Sequence, residues 1–205
     1  MNKNSITGFL ILITASICAQ PKIPLKDISK TPLSTELSMG KNVKKAYQWK
    51  DGRGSNILVL AETGAVPDQK SQEGGRKAEL FAYCFLDGSK TPSWKIYDSE
   101  KQCPVDVEAF FVTEAIEVTD LDGDGLSEIW IVYKTTCRGD ISGRAMKIIM
   151  YENGVKHALR GSEKIVTPEG EFDGGREFDA AFAKAPQSFR DFAVKKWDRF
   201  GTVRY

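Results

Sequence analysis

The chain has 205 residues, which is enough for one domain of ordinary size or for two small lobes. Hydrophobic residues make up 41% of the chain and charged residues 28%, a balance that is typical of globular proteins. The formal net charge is only +1 and the basic residues form no stripe, which argues against nucleic acid as a partner.

The N-terminus has the pattern of a targeting segment. Lys3 supplies a positive charge, and residues 6–17 form an apolar run that is too short to span a bilayer. We predict a signal peptide over residues 1–19, cleaved after Ala19, and no transmembrane helix in the mature chain. Lipidation of Cys18, as in a bacterial lipoprotein, is the alternative. Both interpretations place the mature chain outside the cytoplasm, in the periplasm, on the outer-membrane surface or in the medium.

Residues 20–40 are polar and include three prolines, a composition that predicts a tether or an edge segment. A single β-rich domain is predicted over residues 41–205. Runs of β-branched and aromatic residues between turn signals predict strands at 57–61, 79–86, 94–97, 129–133, 146–151 and 155–159. Phe81, Tyr83 and Phe85 share one face of their strand. Core packing is the preferred interpretation of this face, and stacking on sugar rings is the alternative.

Two parts of this region share a pattern. Asp-Gly-Arg-Gly at 51–54 precedes one apolar strand, and Asp-Gly-Asp-Gly at 122–125 precedes another about seventy residues later. One interpretation is an internal duplication of a β-unit, covering about 45–100 and 115–161 and giving two propeller-blade-like units. Chance similarity between strand–turn–strand segments is the alternative.

The C-terminal residues 178–200 are predicted to be helical. A short helix at Phe178–Lys184 precedes a longer one at Gln187–Phe200, whose apolar residues recur at helical spacing. Residues 165–177, rich in glycine, are predicted to be irregular. The expected fold is therefore mainly β, with antiparallel sheets and one long amphipathic C-terminal helix packed on a sheet.

The strongest chemical signal is an acidic run between two predicted strands. A calcium loop needs oxygen ligands at alternating positions, and the run supplies them from four carboxylates and one backbone carbonyl. The five predicted ligands are Asp120, Asp122, Asp124, Leu126 by its carbonyl, and Glu128. An EF-hand also has a bidentate Glu at position 12, where this chain has Ile131. We therefore predict a calcium loop that joins two β-strands, and a metal-free Asp-Gly turn is the alternative.

Three cysteines remain after the predicted cleavage. We pair Cys103 with Cys137, because they bracket the acidic run and both lie in turn-like contexts. Cys84 lies within an apolar strand, where a buried free thiol is common. In the chain-entropy model a bridge between residues 34 positions apart contributes roughly 3–4 kcal/mol.

The acidic loop leading into Ile129-Trp130-Ile131 resembles the calcium loops of integrin-type FG-GAP and related bacterial β-propeller repeats. This resemblance implies calcium bound on a β scaffold, and it implies no particular activity. The chain departs from a full propeller, since it has one intact loop and is too short for a closed ring of four or more blades.

A wider stretch, from about residue 78 to 200, resembles a group of small exported bacterial proteins labelled as a surface polysaccharide biosynthesis family. The segments that carry the resemblance are Cys103-Pro104-Val105-Asp106, the acidic loop, Cys137-Arg138-Gly139-Asp140 and Met146–Glu152. The resemblance implies a role in making or displaying cell-surface polysaccharide, and it implies no catalytic residues.

No complete catalytic motif stands out in the sequence, and His157, the one histidine, is predicted to be an exposed strand residue. The leading hypothesis is a non-enzymatic, calcium-stabilised cell-envelope protein that binds a surface glycan or another envelope protein. The alternative is a carboxylate-dependent enzyme acting on envelope polysaccharide, for which Glu108, Glu114 and Glu117 are the first residues to test. A structural or inhibitory partner of another secreted protein is a third hypothesis.

Overall fold

The computed structural model describes residues 22–205. The predicted signal peptide over 1–19, including Cys18, lies outside the described residues. The strands are β1 (Lys26–Asp27), β2 (Val43–Asp51), β3 (Gly54–Glu62), β4 (Val66–Pro67), β5 (Arg76–Leu86), β6 (Trp94–Cys103), β7 (Asp106–Phe111), β8 (Glu117–Thr119), β9 (Glu128–Arg138), β10 (Ala145–Glu152), β11 (Val155–Ser162), β12 (Lys164–Thr167), β13 (Gly170–Asp173), β14 (Arg176–Phe178) and β15 (Thr202–Arg204). The helices are α1 (Thr35–Ser38), α2 (Ala180–Lys184) and α3 (Gln187–Phe200), and Thr113–Ala115 form a short 3-10 turn.

Most strands belong to two antiparallel sheets of six strands each. In the first sheet the order is β1-β2-β3-β5, and both β4 and β6 pair with β5. In the second sheet the order is β14-β11-β10-β9-β7, and β8 also pairs with β9. A third, small sheet has the order β13-β12-β15, in which β12 and β15 run parallel.

The two large sheets pack face to face around one shared core. Leu58 and Leu80 of the first sheet lie in the same buried cluster as Ile129 and Ile131 of the second. Successive side chains of a strand point to opposite faces, so Trp130, between those two isoleucines, faces away from the first sheet. It lies in a second buried cluster together with residues of α2 and α3. The molecule is therefore a β-sandwich with a helical layer.

Helix α3 packs on the outer face of the second sheet, as its apolar spacing predicted. Phe189, Phe192 and Trp197 are buried in the cluster that contains Trp130 and Met146. The expected mainly β fold, with antiparallel sheets and a C-terminal helix on a sheet, is confirmed.

The N-terminal segment lies on the outer face of the first sheet. Strand β1 pairs with β2 at the sheet edge, and Ile28, Leu33 and Leu37 pack beside Val59 and Phe85. Residues 22–40 therefore form an edge segment, the second of the two interpretations of this stretch, and do not hang free as a tether.

Two expectations for the C-terminal half are wrong. The stretch 165–177 is not irregular, since it contributes to β12, β13 and β14. Its pairing with β15, at the end of the chain, is a long-range contact that no local pattern reveals. His157 is not exposed, because Phe182 and Phe189 cover it, with ring centroids 5.4 and 6.3 Å away.

The two stretches proposed as duplicates have the same local topology. Strands β2-β3-β5-β6 form one antiparallel meander, and β8-β9-β10-β11 form another. In both, the Asp-Gly turn precedes the second strand. Their common origin stays a prediction.

The predicted disulfide between Cys103 and Cys137 is present, with a Cα–Cα distance of 5.7 Å. Since Cys103 ends β6 and Cys137 lies in β9, the bridge joins the two large sheets. Cys84 is a buried free thiol, as expected, and burial raises its pKa to about 12.

Candidate metal centre

The acidic loop connects β8 to β9, and its aspartates hold its backbone in shape. Asp120 accepts hydrogen bonds from the amides of Gly123 and Gly125, at 2.8 and 3.2 Å. Asp124 accepts a bond of 2.7 Å from the amide of Leu126. The two glycines have φ angles of +77° and +83°, which side chains with a Cβ rarely adopt. The loop therefore has a defined shape fixed by its own sequence.

The loop gathers its carboxylates into one group. Oxygens of Asp120, Asp122 and Asp124 all lie within 4.8 Å of one another. Asp122 also belongs to a second such group, with Glu128 and Glu152. The structure thus brings together all four carboxylates that the sequence singled out, in two sets joined by Asp122.

Glu128 is the buried member of the set, with a relative exposure of 0%. Its carboxylate accepts hydrogen bonds from the Thr119 hydroxyl at 2.5 Å and from the Leu121 amide at 3.0 and 3.1 Å. Burial raises its pKa, and the charges of Asp122 and Asp120 add to that effect. These bonds orient Glu128 beneath the loop, so one side of the site is rigid.

Glu152, at the end of β10, is the residue that sequence reasoning missed. Its Oε1 atom is buried and has no hydrogen-bond partner among the described residues. Burial raises its pKa to about 7, and the charges of Asp122, Glu128, Asp124 and Asp120 contribute. Its carboxylate lies within 4.8 Å of those of Asp122 and Glu128, beside the acidic loop. Because it comes from a neighbouring strand, only the pairing of β9 with β10 reveals it.

The donor set fits a hard cation. Within residues 22–205, no Lys or Arg forms an ion pair with any of the five carboxylates. Five neighbouring anionic groups repel one another unless a cation lies between them. Carboxylate and carbonyl oxygens are ligands for calcium or magnesium, whereas zinc and copper prefer nitrogen and sulfur. Asp120, Asp122, Asp124, Glu128, Glu152 and the Leu126 carbonyl are the groups that could hold the ion.

The acidic loop contacts the first sheet at the Asp-Gly turn between β2 and β3. The Gly52 amide donates a hydrogen bond of 2.8 Å to the Gly125 carbonyl. Ser127 donates to the Asp51 carboxylate, and the Trp49 indole donates to Ser127 Oγ at 2.8 Å. The acidic loop therefore joins the two sheets at one end of β9, and the disulfide joins them near the other end.

The carboxylates first considered for catalysis are placed differently. Glu108 pairs with Arg144 at 2.7 Å, and Glu114 is exposed on the 3-10 turn. Burial alone raises the pKa of Glu117, but hydrogen bonds from Lys196 and Lys22 bring it below its usual value. A general acid needs a raised pKa, so Glu117 does not suit that role.

No family model, curated protein or solved structure matches the chain in the three comparisons made. The resemblance to a polysaccharide biosynthesis family therefore stays a prediction. Between residues 22 and 205, no helix combines the length and the hydrophobicity needed to cross a membrane.

Proposed function

We propose that this protein is an exported, calcium-binding β-sandwich of the cell envelope that acts by binding and not by catalysis. Its partner would be a surface glycan or an envelope protein involved in making or displaying polysaccharide. The observation that carries the calcium assignment is the buried Oε1 atom of Glu152, which has no hydrogen-bond partner among residues 22–205 although its carboxylate lies in one group with Asp122 and Glu128.

Bound calcium would neutralise the clustered carboxylates and coordinate the Glu152 oxygen that lacks a hydrogen-bond partner among the described residues. It takes six to eight oxygen ligands at about 2.3–2.6 Å, and it tolerates irregular geometry. Loop carboxylates, the Leu126 carbonyl and water would supply one side of its shell, and Glu152 the other. Magnesium requires nearly ideal octahedral geometry, which a loop plus a strand end is less suited to provide.

The ion would have a structural role. It would hold the β8–β9 loop to the end of β10, while the Gly52–Gly125 bond holds the same loop to the first sheet. Extracellular modules bind calcium with a Kd of about 10⁻⁴–10⁻³ M. At ten times the Kd, calcium adds roughly 1.4 kcal/mol to the free energy of unfolding.

Export is supported by two features. The predicted signal peptide precedes the domain, and the Cys103–Cys137 disulfide suits an oxidising compartment. The envelope partner is the part of the proposal that rests on the sequence resemblance alone.

One observation favours an enzyme as the second candidate. A carboxyl group with a pKa of about 7, such as that of Glu152, suits a general acid. Bound calcium would lower that pKa and remove the acid form. Calcium should therefore inhibit an enzyme that uses Glu152 as its general acid, whereas it should stabilise the calcium-binding protein of the first proposal.

Titration calorimetry and thermal unfolding test the calcium assignment. We expect heat on addition of Ca²⁺ and a melting temperature that falls in EDTA, both abolished in Asp122→Ala and reduced in Glu152→Gln. Glu73→Gln, at an exposed carboxylate in the loop before β5, is the matched control. A parent protein that responds to neither Ca²⁺ nor EDTA would overturn the assignment.

A glycan array, probed with and without chelator, tests the binding role. Specific retention of an envelope glycan supports it. Hydrolysis of an array glycan that is strongest in EDTA and lost in Glu152→Gln would instead establish the enzyme.

A further inference from the structure

The outer face of the first sheet carries an open groove beside the N-terminal segment. Its floor includes Phe81, Tyr83 and Tyr97, and its walls include Met39 and Pro92. The cavity has a volume of about 680 Å³, within the size range of ligand sites. It lies on the opposite side of the sandwich from α2 and α3, which pack on the second sheet.

The floor of the groove is an aromatic platform. The rings of Phe81 and Tyr83 lie 6.4 Å apart and nearly parallel, with an angle of 9° between their planes. Tyr97 on the adjacent strand lies 5.2 Å from Phe81. The N-terminal segment packs on Tyr83 and leaves 48% of Tyr97 exposed. Core packing therefore explains Tyr83 and Phe85, but it does not explain Tyr97.

Three lysines lie around this platform. Lys41 lies over the Phe81 ring at 4.3 Å, and Lys101 lies over the Tyr97 ring at 5.5 Å. Lys95 is exposed on β6 and forms no ion pair with a described residue. The neighbouring carboxylate, Glu79, is bound by Lys77 at 3.0 Å and by the Tyr97 hydroxyl at 2.8 Å. Glu79 and Asp68 also act on Lys101 electrostatically. The groove thus combines apolar ring faces with the positive charges of Lys41 and Lys95, which form no ion pair with a described residue.

We propose that this groove binds a segment of acidic polysaccharide, with sugar rings on Phe81 and Tyr97 and sugar carboxylates near Lys41, Lys95 and Lys101. The C–H faces of a pyranose ring are apolar and pack on aromatic faces, while its hydroxyl groups stay in water. Lysine charges at an exposed groove attract a polyanion and select it over a neutral chain. The inference rests on the proposed glycan-binding role and assigns that role a surface and a charge class.

Two other occupants would use the same face. A peptide strand could pair with the exposed edge of β6, and a second copy of this chain could cover the aromatic rings. A second copy does not account for the lysines of the groove, since it would bring its own lysines to the same interface. A peptide that pairs with the edge of β6 would be held by its backbone and would need no acidic groups.

The test uses the full mature chain saturated with calcium, and oligogalacturonate as the probe. Dextran oligomers of equal length are the neutral control. We expect oligogalacturonate to bind, binding to weaken about tenfold in Tyr97→Ala and in Lys95→Glu, and affinity to fall with added salt. Lys184→Glu, an exposed lysine of α2 on the opposite side of the molecule, should bind like the parent.

Three results would overturn the inference. They are equal affinity for dextran, unchanged binding in both groove variants, and a dimer in light scattering that Tyr97→Ala dissociates. The calcium response is measured separately on the same variants. If groove variants keep the EDTA-sensitive melting temperature and the array shows a neutral glycan, the groove assignment fails and the proposed function stands.

Discussion

The amide of Gly52 donates a hydrogen bond of 2.8 Å to the carbonyl of Gly125, and this bond joins the Asp-Gly turns of two different sheets. A Cβ atom built on Gly52 would lie 2.9 Å from that carbonyl oxygen, closer than real Cβ contacts allow. The approach of the two turns therefore requires glycine at this position.

We expect Gly52→Ala to lower the free energy of unfolding by about 1–3 kcal/mol, because the turns must separate to admit the methyl group. Calcium affinity should fall as well, since Gly125 belongs to the acidic loop. Urea unfolding and calorimetry measure the two effects. Gly175→Ala is the control, as its Cβ would meet no atom within 4 Å. Equal losses in both variants would contradict the explanation.

Glu152 predicts how stability without calcium depends on pH. Its pKa is raised from 4.5 to about 7 in the folded protein, so the folded state holds the proton more tightly than the unfolded state. That stabilising effect is complete below the unfolded pKa and is lost as pH rises through 7. In EDTA, the melting temperature of the parent relative to Glu152→Gln should fall from pH 5 to pH 8. With Ca²⁺ added at pH 8, the parent should melt at a higher temperature than Glu152→Gln. If the melting temperatures of the two proteins in EDTA change with pH in parallel, Glu152 does not cause the effect.

His157 predicts a loss of stability on the acid side. Burial lowers its pKa below 6.5, and its Nδ1 atom has no hydrogen-bond partner among the described residues. The unfolded state therefore takes up a proton first, and stability present above pH 6.5 is lost as pH falls. His157→Phe should remove this dependence and pack between the same phenyl rings. The urea midpoints of both proteins from pH 5 to pH 8 measure this pH dependence. If the midpoint changes with pH equally in the parent and in His157→Phe, the prediction is wrong.

Lys196 predicts a large effect at a buried ion pair. It is 3% exposed, donates to the Ala115 carbonyl at 2.6 Å and pairs with Glu117. Lys196→Met should cost about 3 kcal/mol, because Glu117 and that carbonyl would lose their buried donor. The exposed pair Lys164–Glu171 is the control, and Lys164→Met should cost less than about 1 kcal/mol. One double-mutant cycle combines Lys196→Met with Glu117→Gln, and a second combines Lys164→Met with Glu171→Gln. We expect a clear coupling energy for the buried pair and a negligible one for the exposed pair.

We expect the disulfide and the metal site to contribute independently to the free energy of unfolding. Replacing Cys103 and Cys137 by alanine should lower the free energy of unfolding by about 3–4 kcal/mol, because the unfolded chain regains the freedom of the closed loop. The loss should add to that caused by EDTA, since the two sites lie at opposite ends of β9. Chemical unfolding of both forms with and without EDTA checks this, and a smaller combined loss would show coupling.

The sequence predicts those ligands of the site that lie close together along the chain. Asp120, Asp122, Asp124 and Glu128 follow from loop spacing, and the structure places them together. Glu152 could not be found in this way, because its approach depends on strand register between β9 and β10. The nearest local signal was its position directly before the Asn153-Gly154 turn.

The fold was predictable where hydrophobic periodicity is strong. Alternating apolar residues indicated the core strands, and helical spacing indicated α3. Strands β12 to β14 were missed, since their pairing with β15 and β11 depends on distant segments. The burial of His157 was missed for the same reason, as α2 and α3 close over β11.

Strand β9 is fastened near one end by a cystine and, on our proposal, near the other by a divalent ion. Both fasteners depend on surroundings that the cytosol lacks, because it is reducing and poor in free calcium. If the chain is exported, as we propose, a newly made polypeptide would lack both links and stay flexible enough to pass through a translocation channel. On that proposal it would become fully rigid only after export, when oxidation and calcium add the two links.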